Sequence, residues 1–180
     1  MVLISDNPKG EPVVVDNTVK FNVTGTAGEF IAQNVIFKNA ISPFMQINAS
    51  GITLNNLILD GCKVPIASGG NFLNAFLGDD NSISNIYLKG NRFAFNQAQD
   101  NAASRLLNFA NSAGNKSLSA DIYIVNNAFY SINNYIINAA ILVLGTNDGT
   151  PGTYNIANTL TIENNTFTVS YTHLRAHETA

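Results

Sequence analysis

The sequence predicts an all-β chain: a right-handed parallel β-helix (solenoid) that is C-terminally truncated. Three observations carry this expectation. A short strand pattern recurs five times within 180 residues. Each copy ends in a residue type that accepts positive φ at low cost. Asparagine accounts for 28 residues, although neither helices nor ordinary strands favour it in their interiors.

The recurring segments are VIFKNA from Val35, LILDGC from Leu57, IYLKGN from Ile86, IYIVNN from Ile122 and LTIENN from Leu160. Their starts lie 22, 29, 36 and 38 residues apart. The shared pattern is apolar, any, apolar, any, then Asn or Gly, and this period of two specifies strand. Asn39, Gly61, Gly90, Asn126 and Asn164 take the turn position after each strand. Val64, Phe93, Phe129 and Phe167 follow shortly after. A second strand is expected in each repeat, at Phe44–Ile47, Asn71–Leu77, Arg105–Ala110 and Asn134–Ile141, with Asn74, Asn108 and Asn138 at its centre. Connections rich in Asn, Gly, Ser and Asp lead to the next repeat, and VVVDNTVKFNV (Val13–Val23) supplies the first repeat or its cap.

Stacking such repeats about 4.8 Å apart turns each position into a column. The first apolar column is expected to hold Val35, Leu57, Ile86, Ile122 and Leu160. The third position holds Phe37, Leu59, Leu88, Ile124 and Ile162, and both columns point inward. The phenylalanines form an aromatic stack above Val64, and the turn asparagines form an amide ladder. A leucine-rich repeat is the rival. LNNLILDGC and ISNIYLKGN fit its pattern, but the leading leucine becomes Ala32, Ser119 and Ala157 elsewhere. Growing repeat length with a second apolar strand favours the β-helix.

Residues 1–12 are read as a disordered or linker lead-in, 13–168 as the repeat domain and 169–180 as a non-native tail. Val169–Thr179, VSYTHLRAHET, resembles a translated sequencing adapter, which implies a natural chain that continues past Thr168. Both histidines, His173 and His177, fall in this tail, so a His-x-x-x-His metal pair is disfavoured. Net charge is −3 with no basic run, which argues against a nucleic-acid partner. The most apolar run, Tyr135–Gly145, is too short for a membrane-spanning helix. The single cysteine, Cys62, excludes an internal disulfide. The N-terminus lacks the layout of a signal peptide.

Outward columns carry the candidate chemistry. The second position stacks Ile36, Ile58, Tyr87, Tyr123 and Thr161, with Tyr87 and Tyr123 as a sugar-stacking platform, or else as a strip that a loop or neighbouring domain covers. The fourth stacks Lys38, Asp60, Lys89, Val125 and Glu163. Its Lys–Asp–Lys order reads as a charge ladder, or as a binding strip for an acidic sugar. Arg92 follows a turn and can meet a carboxylate or lie over the aromatic stack. Asp79 and Asp80 sit side by side in GDDN and would be a weak calcium-binding turn, or an ordinary loop. As strand neighbours they would face opposite ways, a poor arrangement for acid and base acting on one bond.

The coils ITLNNLILDGC, ISNIYLKGNRF and DIYIVNNAF resemble the pectate-lyase-like right-handed β-helix superfamily, and within it bacterial secreted or surface β-helix domains of unknown function. This resemblance implies a polysaccharide or cell-surface glycan as partner and an extracellular or cell-surface location. Lyases of the superfamily imply calcium held by acidic side chains with a basic residue as base. Only Asp79–Asp80 resembles the paired aspartates of its hydrolases. The expected function is a non-catalytic module contacting polysaccharide. The alternatives are a fragment of a polysaccharide lyase or glycoside hydrolase, and a structural or adhesive stalk.

Overall fold

The computed structural model describes residues 1–5, 11–16, 20–24, 27–39, 43–47, 51–75, 82–96, 103–111, 116–118, 120–132, 138–146, 154–156 and 158–168. The described residues form strands and connections and contain no helix. Three open sheets hold almost all of the strands, and every pairing is parallel. The first sheet runs Val2–Ile4, Ala27–Gln33, Thr53–Asp60, Ser82–Lys89, Asp121–Val125, Thr159–Glu163. The second runs Val13–Val15, Val35–Phe37, Lys63–Ala67, Arg92–Asn96, Ala128–Ser131, Thr166–Thr168. The third runs Phe21–Asn22, Met45–Ile47, Asn71–Ala75, Ala103–Asn111, Asn138–Thr146. Successive repeats therefore add one strand each to the three sheets, in chain order. A small fourth sheet pairs Lys116–Leu118 with Tyr154–Ile156.

One apolar cluster, drawn from all three sheets, is the core. Ile86 lies directly between Leu57 and Ile122, and Leu88 between Leu59 and Ile124, so the expected columns exist from the second repeat onward. Phe93, Phe129 and Phe167 stack face to face at 5.3 and 4.9 Å, with Val64 in register below Phe93. Alternate residues of the first sheet face away from this core, and that outer surface is half-exposed.

The first repeat departs from expectation. Phe30, Ile31, Ala32 and Gln33, not Val35–Lys38, pair with Leu57–Asp60. Asn34 (φ 52°) makes the turn there, and Asn39 does not adopt positive φ. Val35–Phe37 lies past that turn and pairs with Val13–Val15 in the second sheet. FIAQN and VIFKN carry the same alternation five residues apart, so pattern alone selects either. Likewise Asn74 and Asn108 are in register and bonded at 2.7 Å, but Val143, not Asn138, continues their column. Residues 1–12 are also not all lead-in, because Val2–Ile4 pairs with Ile31–Gln33. The expected tail, 169–180, lies outside the described residues.

The amide ladder stands one residue beyond the turn. Gly61, Gly90, Asn126 and Asn164 take positive φ, and the rungs are Asn91, Asn127 and Asn165. Each rung does two things for the preceding repeat. Its Oδ1 accepts the backbone N–H of the residue below, Cys62 for Asn91 and Asn91 for Asn127, both at 2.9 Å. Its Nδ2 donates to a backbone carbonyl, that of Leu59, Leu88 or Ile124, at 2.7–2.9 Å. The corner N–H groups that lie past the first-sheet ladder are satisfied in this way, and the ladder carbonyls gain a second donor. Cys62 is the lowest polar rung. Its buried thiol donates to the Ala32 carbonyl at 3.3 Å, the counterpart of the Leu59 and Leu88 carbonyls.

Candidate binding face on the first sheet

Along the stretch shared by five of the six first-sheet strands, alternation sends three residues of each outward. The outer rows are Glu29, Ile31, Gln33; Asn56, Ile58, Asp60; Asn85, Tyr87, Lys89; Asp121, Tyr123, Val125; and Thr159, Thr161, Glu163. In-register pairing brings Tyr87 and Tyr123 into a stack with ring centroids 4.6 Å apart and planes 7° from parallel. Each ring therefore covers one face of the other. On its other side Tyr123 stands in register with Thr161, too short to cover a phenol. Tyr87 is 37% exposed. Local desolvation, then Tyr123 and the Asp121 carboxylate, push its phenol above the ordinary 10.0.

Beside the rings runs a row of hydrogen-bonding side chains. Asn85 donates to Asn56 Oδ1 at 2.9 Å, and Asn56 donates to Glu29 Oε1 at 2.7 Å. The row continues in register to Asp121, whose Oδ1 is buried and meets no donor among the described residues. Both amides donate toward Glu29, away from Asp121. Glu29, Asn56, Asn85 and Asp121 are absent from the sequence-predicted set. They precede the first apolar residue of each repeat, and only strand register puts them beside the tyrosines.

The remaining predicted residues separate. Tyr87, Tyr123, Lys89 and Asp60 share this face, with Lys89 and Asp60 in register. Lys38 does not, because it follows the second-sheet strand Val35–Phe37 and pairs with Asp16 at 2.8 Å. Both partners are at least half exposed, so this pair adds little stability. Gln33 takes its place in the column. Arg92 lies across the turn, outward on the second sheet and in register with Lys63. Neither cation has an ion-pair partner among the described residues. They border a shallow cleft of about 210 Å³ that Gly61 and Gly90 leave open. Like charges directly opposite repel, and Lys63 too is absent from the sequence-predicted set.

Asp79 and Asp80 lie outside the described residues. Among the described residues no group of three or more His, Cys, Asp or Glu side chains could hold a metal ion. Of the acids of the outer face, Glu29 and Asp121 share one column three strands apart and Asp60 and Glu163 share another three strands apart, so they do not converge on a calcium site. No described helix is long and apolar enough to cross a membrane.

Comparison with family models, with curated proteins and with solved structures finds no match.

Proposed function

We propose that the chain is a right-handed parallel β-helix of the pectate-lyase-like superfamily, and that the outer face of its first sheet contacts polysaccharide without cleaving it. The pairing of each strand with its counterpart one repeat later, around one core, supports the β-helix. Its hand follows from the general rule that parallel crossovers are right-handed in about 98% of cases. Such a module would meet its glycan outside the cell or at its surface.

The observation that carries the binding reading is the Tyr87–Tyr123 stack set beside a row of amides and carboxylates. Sugars offer apolar C–H faces and a rim of hydroxyls. A phenol ring next to Asn85, Asp121 and Lys89 answers both. The open face of Tyr123 above Thr161 is the stacking position, and Tyr87 buttresses it from below.

A glycan array probed with the full chain, with Tyr123→Ala and with Tyr87→Ala tests this. Binding should fall at least tenfold for Tyr123→Ala and less for Tyr87→Ala. An empty array, or a signal that neither substitution moves, would end the proposal.

A further inference from the structure

We infer that Tyr87 and Tyr123 form a built-in site for oxidative coupling, giving an intrachain dityrosine when the protein meets a one-electron oxidant such as a peroxidase acting with hydrogen peroxide. The inference is independent of glycan binding and rests on register. The two residues face each other on neighbouring parallel strands, from backbones running the same way. Their rings are nearly parallel with centroids 4.6 Å apart, so the two phenols already meet face to face. Tyr87 is open to solvent, and this leaves the rings room to swing from the stack into the contact that a carbon–carbon bond needs. The Asp121 carboxylate acts on Tyr87 electrostatically. A negative charge at that place favours withdrawal of an electron from the ring.

Each phenol loses its hydroxyl hydrogen as one proton and one electron, giving two phenoxyl radicals. An ortho carbon of each ring joins the other in a new C–C bond. Each of those carbons then releases its hydrogen as a proton while the ring oxygen takes one up, which restores two aromatic phenols. The net loss is two protons and two electrons. Hydrogen peroxide accepts both and becomes two molecules of water.

Other described groups do not compete. Tyr130 stands opposite Ala94 and Thr168, and Tyr154 opposite Lys116, so neither has a tyrosine across the ladder. The Cys62 thiol, the most oxidisable side chain, is buried. The new bond would tie the repeat of Tyr87 to the repeat of Tyr123 and hold the register of the first sheet.

The test exposes the full chain, at high dilution, to a peroxidase and hydrogen peroxide. Dityrosine fluorescence is followed, and cross-linked peptides are mapped by mass spectrometry. The expected result is one dominant intrachain link between Tyr87 and Tyr123, lighter by two hydrogen atoms. It should vanish in Tyr87→Phe and in Tyr123→Phe, which keep the ring and the fold, and persist in Tyr130→Phe. The linked protein should unfold at a higher denaturant midpoint than the unlinked one. Absence of dityrosine, links that survive both phenylalanine substitutions, or links formed only between chains would each overturn the assignment.

Discussion

Asn127 is where the ladder should be felt most, because it is 1% exposed and bonded both above and below. Asn127→Ala removes the acceptor of the Asn91 N–H (2.9 Å) and the donor to the Leu88 carbonyl (2.8 Å). The Asn91 N–H is left without a partner where water does not reach, at roughly 1–3 kcal/mol, whereas the Leu88 carbonyl keeps its place in the ladder with the Asp121–Val125 strand and loses only a second bond, about 0.5–1.5 kcal/mol. The expected loss is therefore about 1.5–4.5 kcal/mol, a large part of the 5–15 kcal/mol or so typical of a whole domain. The neighbouring Asn126 supplies the control. It is exposed and serves through its φ of 57°, so Asn126→Ala should cost only about 1 kcal/mol and Asn126→Gly almost nothing. Asn165→Ala should fall between, since that rung is only half-buried and water can replace its bonds. Equilibrium guanidinium unfolding followed by circular dichroism gives all four values. If Asn127→Ala costs under 1 kcal/mol, or no more than Asn126→Ala, the ladder is ornament and the corner is held by something else.

Two further outcomes follow from the same corner. Gly61 has φ 65° and nothing within 4 Å of where a Cβ would stand, so conformation alone decides its replacement. Gly61→Ala should cost about 1–2 kcal/mol by denaturant titration, and Gly61→Asn clearly less, as asparagine holds the same position in the repeats of Asn126 and Asn164. Burial pushes the Cys62 thiol above its ordinary 9.0. The unfolded chain then loses its proton at a pH where the folded chain keeps it. Stability should fall as pH rises past about 9, and Cys62→Ala should flatten that slope in melts recorded between pH 8 and 10.

Much of this architecture was legible because its signals are periodic. Leu57, Ile86 and Ile122 announce a column by alternation alone, and the spacing of Phe93, Phe129 and Phe167 announces the stack. Tyr87 and Tyr123 were legible as an outward pair for the same reason. The first repeat was not, because FIAQN and VIFKN satisfy one pattern in two registers, and only pairing with Leu57–Asp60 decides between them. The ladder was misplaced by one residue. In Asn126–Asn127 and Asn164–Asn165 one asparagine makes the turn and the next makes the bonds, and composition cannot say which. Cys62 hides its rung altogether, since a thiol there stands in for an amide. Lys38 falls out of the fourth column with the rest of the first repeat, since Gln33 takes its place once Phe30–Gln33 pairs with Leu57–Asp60.

The small sheet of Lys116–Leu118 and Tyr154–Ile156 has an evolutionary consequence. Both strands belong to the long excursions between the third sheet and the first, in consecutive repeats. Each covers the hydrogen-bonding edge of the other. Loss of one excursion alone would strand a bare edge on its neighbour, open to any passing chain. The two excursions are thus expected to be inherited as a pair, lengthening or vanishing together in descendants of this gene, whereas the strand columns between them need never change.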